Sequence, residues 1–232
     1  RGSAEPSLAG NSIHPLLPHH QARTRVLRPG CRMKIAFIVN NYPPRVGGVE
    51  LHVQAIATEL ARIGHRPYIL TLESHPGTRS ENGVEILSFR EHMRVADILG
   101  FPAPGTRKAL SRFLRDKGID VVSVHTRFFP MSYLGVRAAL RAGVPVIHTE
   151  HGSDHVVSDS PFIGFASRLV DLTLGRWVLR NATKVLGVSE SAVSFVKRLS
   201  GVDASVFYNA IEAPDVEPAH WPNQTEKLVF VG

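Results

Sequence analysis

Short apolar runs alternate with stretches of helical period along most of this 232-residue chain. That alternation constrains the fold more than any other feature. The runs fall at 34–40, 67–72, 84–89, 120–126, 144–149, 184–188 and 204–208 and are rich in Val and Ile. Several are apolar at successive positions, as strands covered on both faces must be. Between them, 48–63, 105–117, 131–142, 162–181 and 190–200 read as helices. In the first helix Val49, Val53, Ile56, Ala57, Leu60 and Ile63 form a stripe at helical spacing, and Gly64 stops it. Ser189 is placed to cap the last one. Strand–helix alternation predicts βαβ units and an α/β fold with a doubly wound, mostly parallel sheet. No internal repeat is visible.

Charge narrows the partners. The net charge is +7, but residues 1–32 hold Arg1, Arg23, Arg25, Arg28 and Arg32 against Glu5 alone. The basic character therefore sits largely in the tail, and nucleic acid is not the expected partner. Residues 1–32 are rich in Pro, Gly, Ser, His and Arg and predict a disordered tail ahead of Met33. The single cysteine, Cys31, has no internal partner, which fits a reducing compartment. No apolar run approaches the roughly 20 residues of a membrane span, so a cytoplasmic protein is expected. At the far end KLVFVG reads as one buried strand after a Pro-rich linker. The expected organisation is a tail (1–32), a domain (33–212), and a linker with the first strand of a second domain (213–232).

In such sheets ligands bind where strands end and loops lead into helices. The first such loop, NYPPRVGG, is longer than a tight turn needs. Its Gly47-Gly48 pair lets backbone approach a ligand, and the helix after it offers free N–H groups and a positive dipole end. It reads as a cradle for a diphosphate, or as a surface loop in which Glu50 merely complements the dipole. His125 ends one core strand; His148, Glu150 and His151 lie in or just past the next. His125 and His151 are expected to converge on the crevice beside the glycine loop, where imidazole can donate to a sugar hydroxyl or a phosphate. A structural histidine is the competing reading. The set His148, His151 and His155 has spacing for zinc only on a helix, whereas HGSDH reads as loop and HExxH is absent, so no metal is expected. Glu73 ends the second strand, yet Gly-x-Gly-x-x-Gly is missing, which disfavours a dinucleotide oxidoreductase. Two basic helices, with Arg107, Lys108, Arg112, Arg115 and Lys117 on one and Arg168, Arg176 and Arg180 on the other, read as solvated faces or as surfaces for an anionic membrane.

Four segments resemble one family in the same order. MKIAFIVNNYPPRVGGVELHVQAIATELARIGHRPYILT is similar to the opening of the retaining glycosyltransferases of family 4, which have the GT-B fold. IDVVSVHTRFFPMSYLGVRAALRAGVPVIHTEHG, KVLGVSESAVSFVKRLSGVDASVFYNAIE and KLVFVG follow. The resemblance spans residues 33–232 and implies a Rossmann-like N-terminal, acceptor-side domain, with the donor domain beyond the present chain. It places Gly47, Gly48 and Glu50 at the donor, His151 beside the reacting sugar as the catalytic residue, and His125 on the preceding strand. Ser189 and Asn209 join the ligand-binding set, although Ala210 stands where the family has glycine. The implied reaction moves a sugar from a nucleotide-sugar donor to a carbohydrate or lipid-linked acceptor with retention and without cofactor or metal. Peripheral contact at the inner face of a membrane is a further implication. A half-enzyme of this kind is expected to transfer nothing alone. The rival reading is a non-catalytic domain that binds a nucleotide, a sugar or a partner.

Overall fold

The computed structural model describes residues 31–45, 47–95, 99–156 and 160–210. The expectations for the tail and for the linker with its KLVFVG strand lie outside these.

Parallel strands need crossovers, and the chain supplies them in two sweeps. β1 (Lys34–Ile38) leads through α1 (Gly48–Arg62) to β2 (Arg66–Glu73), paired in parallel beside it. A hairpin of β3 (Thr78–Glu81) and β4 (Val84–Val95) then extends that edge, with β4 parallel to β2 and antiparallel to β3. β5 (Leu99–Pro102) folds back on the far half of β4. From there α2 (Thr106–Lys117) returns the chain to the other side of β1. There β6 (Val121–His125), α3 (Pro130–Ala142) and β7 (Val146–Glu150) add on. A long helical stretch follows: α4 (Pro161–Val170), a π-helical turn (Asp171–Gly175) and α5 (Arg176–Asn181). β8 (Lys184–Gly187), α6 (Glu190–Ser200) and the short β9 (Ser205–Val206) complete the order β3-β4-β2-β1-β6-β7-β8-β9. The winding reverses between β1 and β6, so the crevice at their carboxyl ends is the switch point at which such sheets take ligands.

Helices cover both faces, which is why the strands are apolar at successive positions. On one face α1 buries Val53 and Ala57 against Ile35, Phe37 and Ile69. On the other, α2, α3 and α5 bury Leu110, Leu114, Met131, Val136 and Val178 over Ala36, Ile38, Leu70 and Val124. Each fully buried aliphatic side chain contributes about 1.5–3 kcal/mol. The prolines at the first positions of α3 and α4 lose no helical hydrogen bond there. Ser189 caps α6 as expected, its Oγ accepting from the Ala192 N–H at 3.1 Å.

Three expectations need correction. The strand expected at 84–89 runs on to Val95, and the run expected at 204–208 is a strand only at Ser205–Val206. β3 lacks an apolar pattern and β5 is only four residues long, yet Asn82 and Gly83 (φ 50° and 78°) make the left-handed turn that closes the β3–β4 hairpin. The helix expected at 162–181 widens into a π turn at Asp171–Gly175. A Cβ on Gly175 would sit 3.3 Å from the Arg127 side chain, which passes under this turn to reach Asp171.

Candidate functional site

The loop after β1 opens on buried residues rather than on solvent. Asn40 and Asn41 are buried; neither atom of the Asn40 amide has a partner, while the Asn41 oxygen accepts from Arg94 at 3.0 Å. A cis peptide joins Pro43 to Pro44, and Arg79 donates to the Pro43 carbonyl at 2.7 Å. Gly47 is the N-cap of α1, and its carbonyl accepts from the Leu51 N–H at 3.0 Å. Its backbone is extended (φ −164°), a conformation open to any residue, but a Cβ there would collide with the Glu50 carboxylate. Gly48 is the first helical residue, and a Cβ on it would meet nothing within 4 Å. Neither glycine is needed for a left-handed backbone. Close approach by Glu50 explains the first, and the second borders open space.

Below this loop three imidazoles meet. His125 ends β6, His151 follows β7, and both point to the α1 face. The His125 Nδ1 lies 3.2 Å from the His151 Nε2, so the two histidines converge as the strand ends implied. The third, His52, stands one turn into α1, its ring centroid 5.7 Å from that of His125 and 5.0 Å from that of His151. Phe37 stacks on His125 at 6.1 Å, and Phe207 meets His52 edge-on at 6.0 Å. Burial and the neighbouring rings work against protonation. His151 is pushed down to about 4 by burial first and then by His52, against the pull of Glu150. His125 falls well below its ordinary value through burial, with His151, His52 and His148 adding to it, and burial lowers His52 as well. All three are neutral at physiological pH, each able to donate one hydrogen bond and accept another.

On the opposite face the same strand ends build something different. Thr126 (φ 62°) holds a left-handed backbone, costly for a β-branched residue, and this turn sends Arg127 to the other side of the sheet from His125. The Arg127 side chain is wholly buried. It donates to Glu150 Oε1 at 2.9 Å, to both Asp171 oxygens at 2.9 Å and to the Asp154 carbonyl at 3.0 Å, and it lies over the Phe195 ring at 4.4 Å. Burial alone would raise Glu150; His148 at 3.2 Å, the Arg127 charge and the Gly152 N–H outweigh it and hold Glu150 at about 2. His155 also belongs to this network, its Nδ1 2.6 Å from Asp171 Oδ2. This loop histidine is thus tied to the buried ion pairs.

The remaining expected residues divide. Ser189 spends its oxygen on the cap of α6. Asn209 is exposed, two residues past Phe207. Glu73 pairs with Arg79 at 2.5 Å. The spacing His148, His151 and His155 does not bring three ligands together: His148 bonds Glu150 and His155 bonds Asp171. The set with metal-ligand geometry among the described residues is His52, His125 and His151, each offering a nitrogen within 4.8 Å of the others. Sequence reasoning missed Asn40, His52 and Arg127. His52 had a signal, because positions 49, 52, 53 and 56 share one face of α1.

A neutral imidazole cluster beside a helix N-terminus can bind hydroxyls and anions without bringing a charge of its own. Comparison with known proteins narrows this. The sequence profile described as Glycosyltransferase Family 4 matches residues 46–213. An uncharacterized glycosyltransferase of Methanocaldococcus jannaschii is 24% identical over 222 residues, covering 87% of this chain and 55% of that protein. Alpha-monoglucosyldiacylglycerol synthase of Streptococcus pneumoniae is 28% identical over 126 residues, 51% of this chain and 26% of that one. This chain thus spans about half or less of the curated relatives it matches. Among solved structures, Anabaena HepE in complex with UDP superposes with a TM-score of 0.53 at 17% identity, over 78% of this chain and 45% of that one. The fold is therefore that of one half of such GT-B proteins. With its profile match extending over well more than half of its length, the chain belongs to glycosyltransferase family 4.

Proposed function

We propose that this chain forms the acceptor-side wall of a sugar-transfer cleft, with His151 as the catalytic residue beside the sugar and the Gly47-Gly48 loop facing the donor. The carrying observation is the meeting of His52, His125 and His151 at the switch point, one turn below the start of α1. As bond cleavage gives the sugar oxocarbenium character, its hydroxyls become stronger hydrogen-bond donors, and the lone pair of a neutral histidine accepts from them without repelling the developing positive charge. The N-terminus of α1 offers N–H groups and its dipole to the departing diphosphate. A nucleotide-sugar donor is supported by the likeness to HepE, which has been solved with UDP and with UDP-glucose. Transfer with retention follows the family resemblance. An acceptor with an apolar part is supported by the open face of α4, where Phe162 is 78% and Phe165 69% exposed. The pneumococcal relative is named for a diacylglycerol product. Among the described residues no helix is long and apolar enough to cross a membrane; the membrane contact proposed is peripheral, through the open face of α4.

The test is an assay with a panel of nucleotide sugars and acceptors, run on this chain alone and on a polypeptide that carries both halves of the fold. Turnover by the two-half protein alone is the expected result. Robust turnover by the present chain overturns the reading.

A further inference from the structure

Two buried imidazoles and a partly buried third, with no carboxylate among the described residues bound to any of them, make an odd core. A hydrogen-bonded cluster would satisfy its nitrogens internally, yet His52, only 8% exposed, leaves its Nε2 without a partner. Burying such an atom unsatisfied costs about 1–3 kcal/mol, and the other two rings stand next to it.

The spacing fits a small cation. A tetrahedral zinc with Zn–N bonds of 2.0–2.1 Å holds its nitrogens about 3.3 Å apart and the ring centroids about 5 Å apart. Here the His125 Nδ1 and the His151 Nε2 are 3.2 Å apart, His52 offers a nitrogen within 4.8 Å of both, and the three centroid separations are 5.0, 5.5 and 5.7 Å. The outer support is present too. Ser123 Oγ lies 3.1 Å from the His125 Nε2; by accepting the Nε2 proton it leaves the Nδ1 lone pair facing the other two rings. The ligands come from α1, β6 and the end of β7, elements fixed by the sheet, so little ordering is needed on binding. All-imidazole ligation suits zinc, copper or nickel and discriminates against magnesium and calcium, which demand oxygen.

We propose that His52, His125 and His151 form a tris-imidazole site for a borderline divalent transition cation, zinc foremost, with the fourth position left to water or an outside ligand. Such an ion takes the lone pair that the transfer reading gives to the sugar, so metal and donor sugar exclude one another. The ion is an antagonist of that reaction and no cofactor. Binding itself does not rest on the transfer reading, and its test contains no sugar.

The experiment uses the metal-free 232-residue chain titrated with ZnCl2 in equilibrium dialysis, with CoCl2 as a spectroscopic probe. Because His14, His19 and His20 lie in the tail, every variant is made on a background in which these three are changed to Gln. One equivalent of zinc is expected to bind, to raise the melting temperature, and in the cobalt form to give the intense visible bands of a tetrahedral ion. His52→Gln and His151→Gln are each expected to weaken binding by about 100-fold or more, Ser123→Ala by about 10-fold, and His155→Gln not at all. Circular dichroism of each metal-free variant controls for folding; if His52→Gln does not fold, the less buried His151 carries the test. Absence of binding to the parent, or unchanged affinity in His151→Gln, overturns the site. Its failure leaves the transfer assay untouched, and failure of that assay leaves the site standing.

Discussion

Two polar clusters share the carboxyl ends of β6 and β7, and they differ in whether ion pairs hold them. On the face covered by α3 and α5, Arg127 lies between Glu150 and Asp171 and makes four side-chain hydrogen bonds, although the Nδ1 of the neighbouring His148 has no partner. On the α1 face His52, His125 and His151 carry no ionic partner, and one nitrogen has no partner at all. A network closed by ion pairs in a low-dielectric interior fixes geometry and offers little to a ligand. An open one is costly to keep and ready to bind. On the proposed reading the first is structural and the second functional, and one residue step, Glu150 to His151, joins them.

The largest effect should come from breaking the closed cluster. Arg127→Leu strands two buried carboxylates, a loss of about 3–5 kcal/mol, measured by chemical denaturation of this chain. A loss under about 1 kcal/mol would show that the network does not hold the strand ends. Next comes acid, which attacks both clusters. His151, near 4 when folded and 6.5 when unfolded, is neutral in the native state, so the unfolded chain binds the extra proton between those values. Stability is therefore fully present above about pH 6.5 and falls as pH drops towards 4, by roughly 3 kcal/mol for this residue alone, with His125 and His52 adding in the same direction. Glu150, depressed to about 2, adds a second loss as pH falls below its unfolded value of 4.5. In melts from pH 7 to pH 4, His151→Gln should flatten the upper part of that decline; an unchanged slope would place the acid sensitivity elsewhere.

A third change separates the clusters by function. In a two-half polypeptide, His151→Ala should lower kcat on the order of 10²-fold and leave the KM for donor nearly unchanged. His155→Ala should instead act on stability through Asp171. If His151→Ala lowers only the melting temperature, the open cluster is structural and the comparison collapses.

The legibility of these clusters in the sequence follows from the range of their determinants. Apolar runs and helical stripes are local, so most strands and helices could be read, and His125 and His151 stood out because they end core strands. Ser189 was legible as a cap for the same reason. Arg127 was not, because an arginine after a strand looks like a solvated cation until Glu150 and Asp171, 23 and 44 residues on, close around it. The π turn follows from that same pairing and was equally hidden. β3 and β5 escaped through charged or short sequences, though Asn82-Gly83 carried a hairpin signal that pattern reading passed over. His52 looked like a polar interruption of the α1 stripe; only the placement of α1 over β6 shows what it faces.

The smallest effect on stability, and the sharpest use of the comparison, concerns Gly48. It begins α1 in an ordinary helical conformation with open space around its missing side chain. Gly48→Ala therefore removes unfolded-state entropy without a clash and should leave this chain unchanged or up to about 1 kcal/mol more stable. If the space is open because the donor occupies it during transfer, the methyl group should raise the KM for donor in a two-half polypeptide by several-fold, with folding intact. Gly47→Ala acts differently, since its Cβ meets Glu50, and its cost should appear in the melting curve of the isolated chain. Adjacent glycines would then divide as the two clusters do, one answering to packing and its neighbour to ligand. Unaltered donor affinity in Gly48→Ala would return that residue to an ordinary helix start and leave the cleft wall to the histidines.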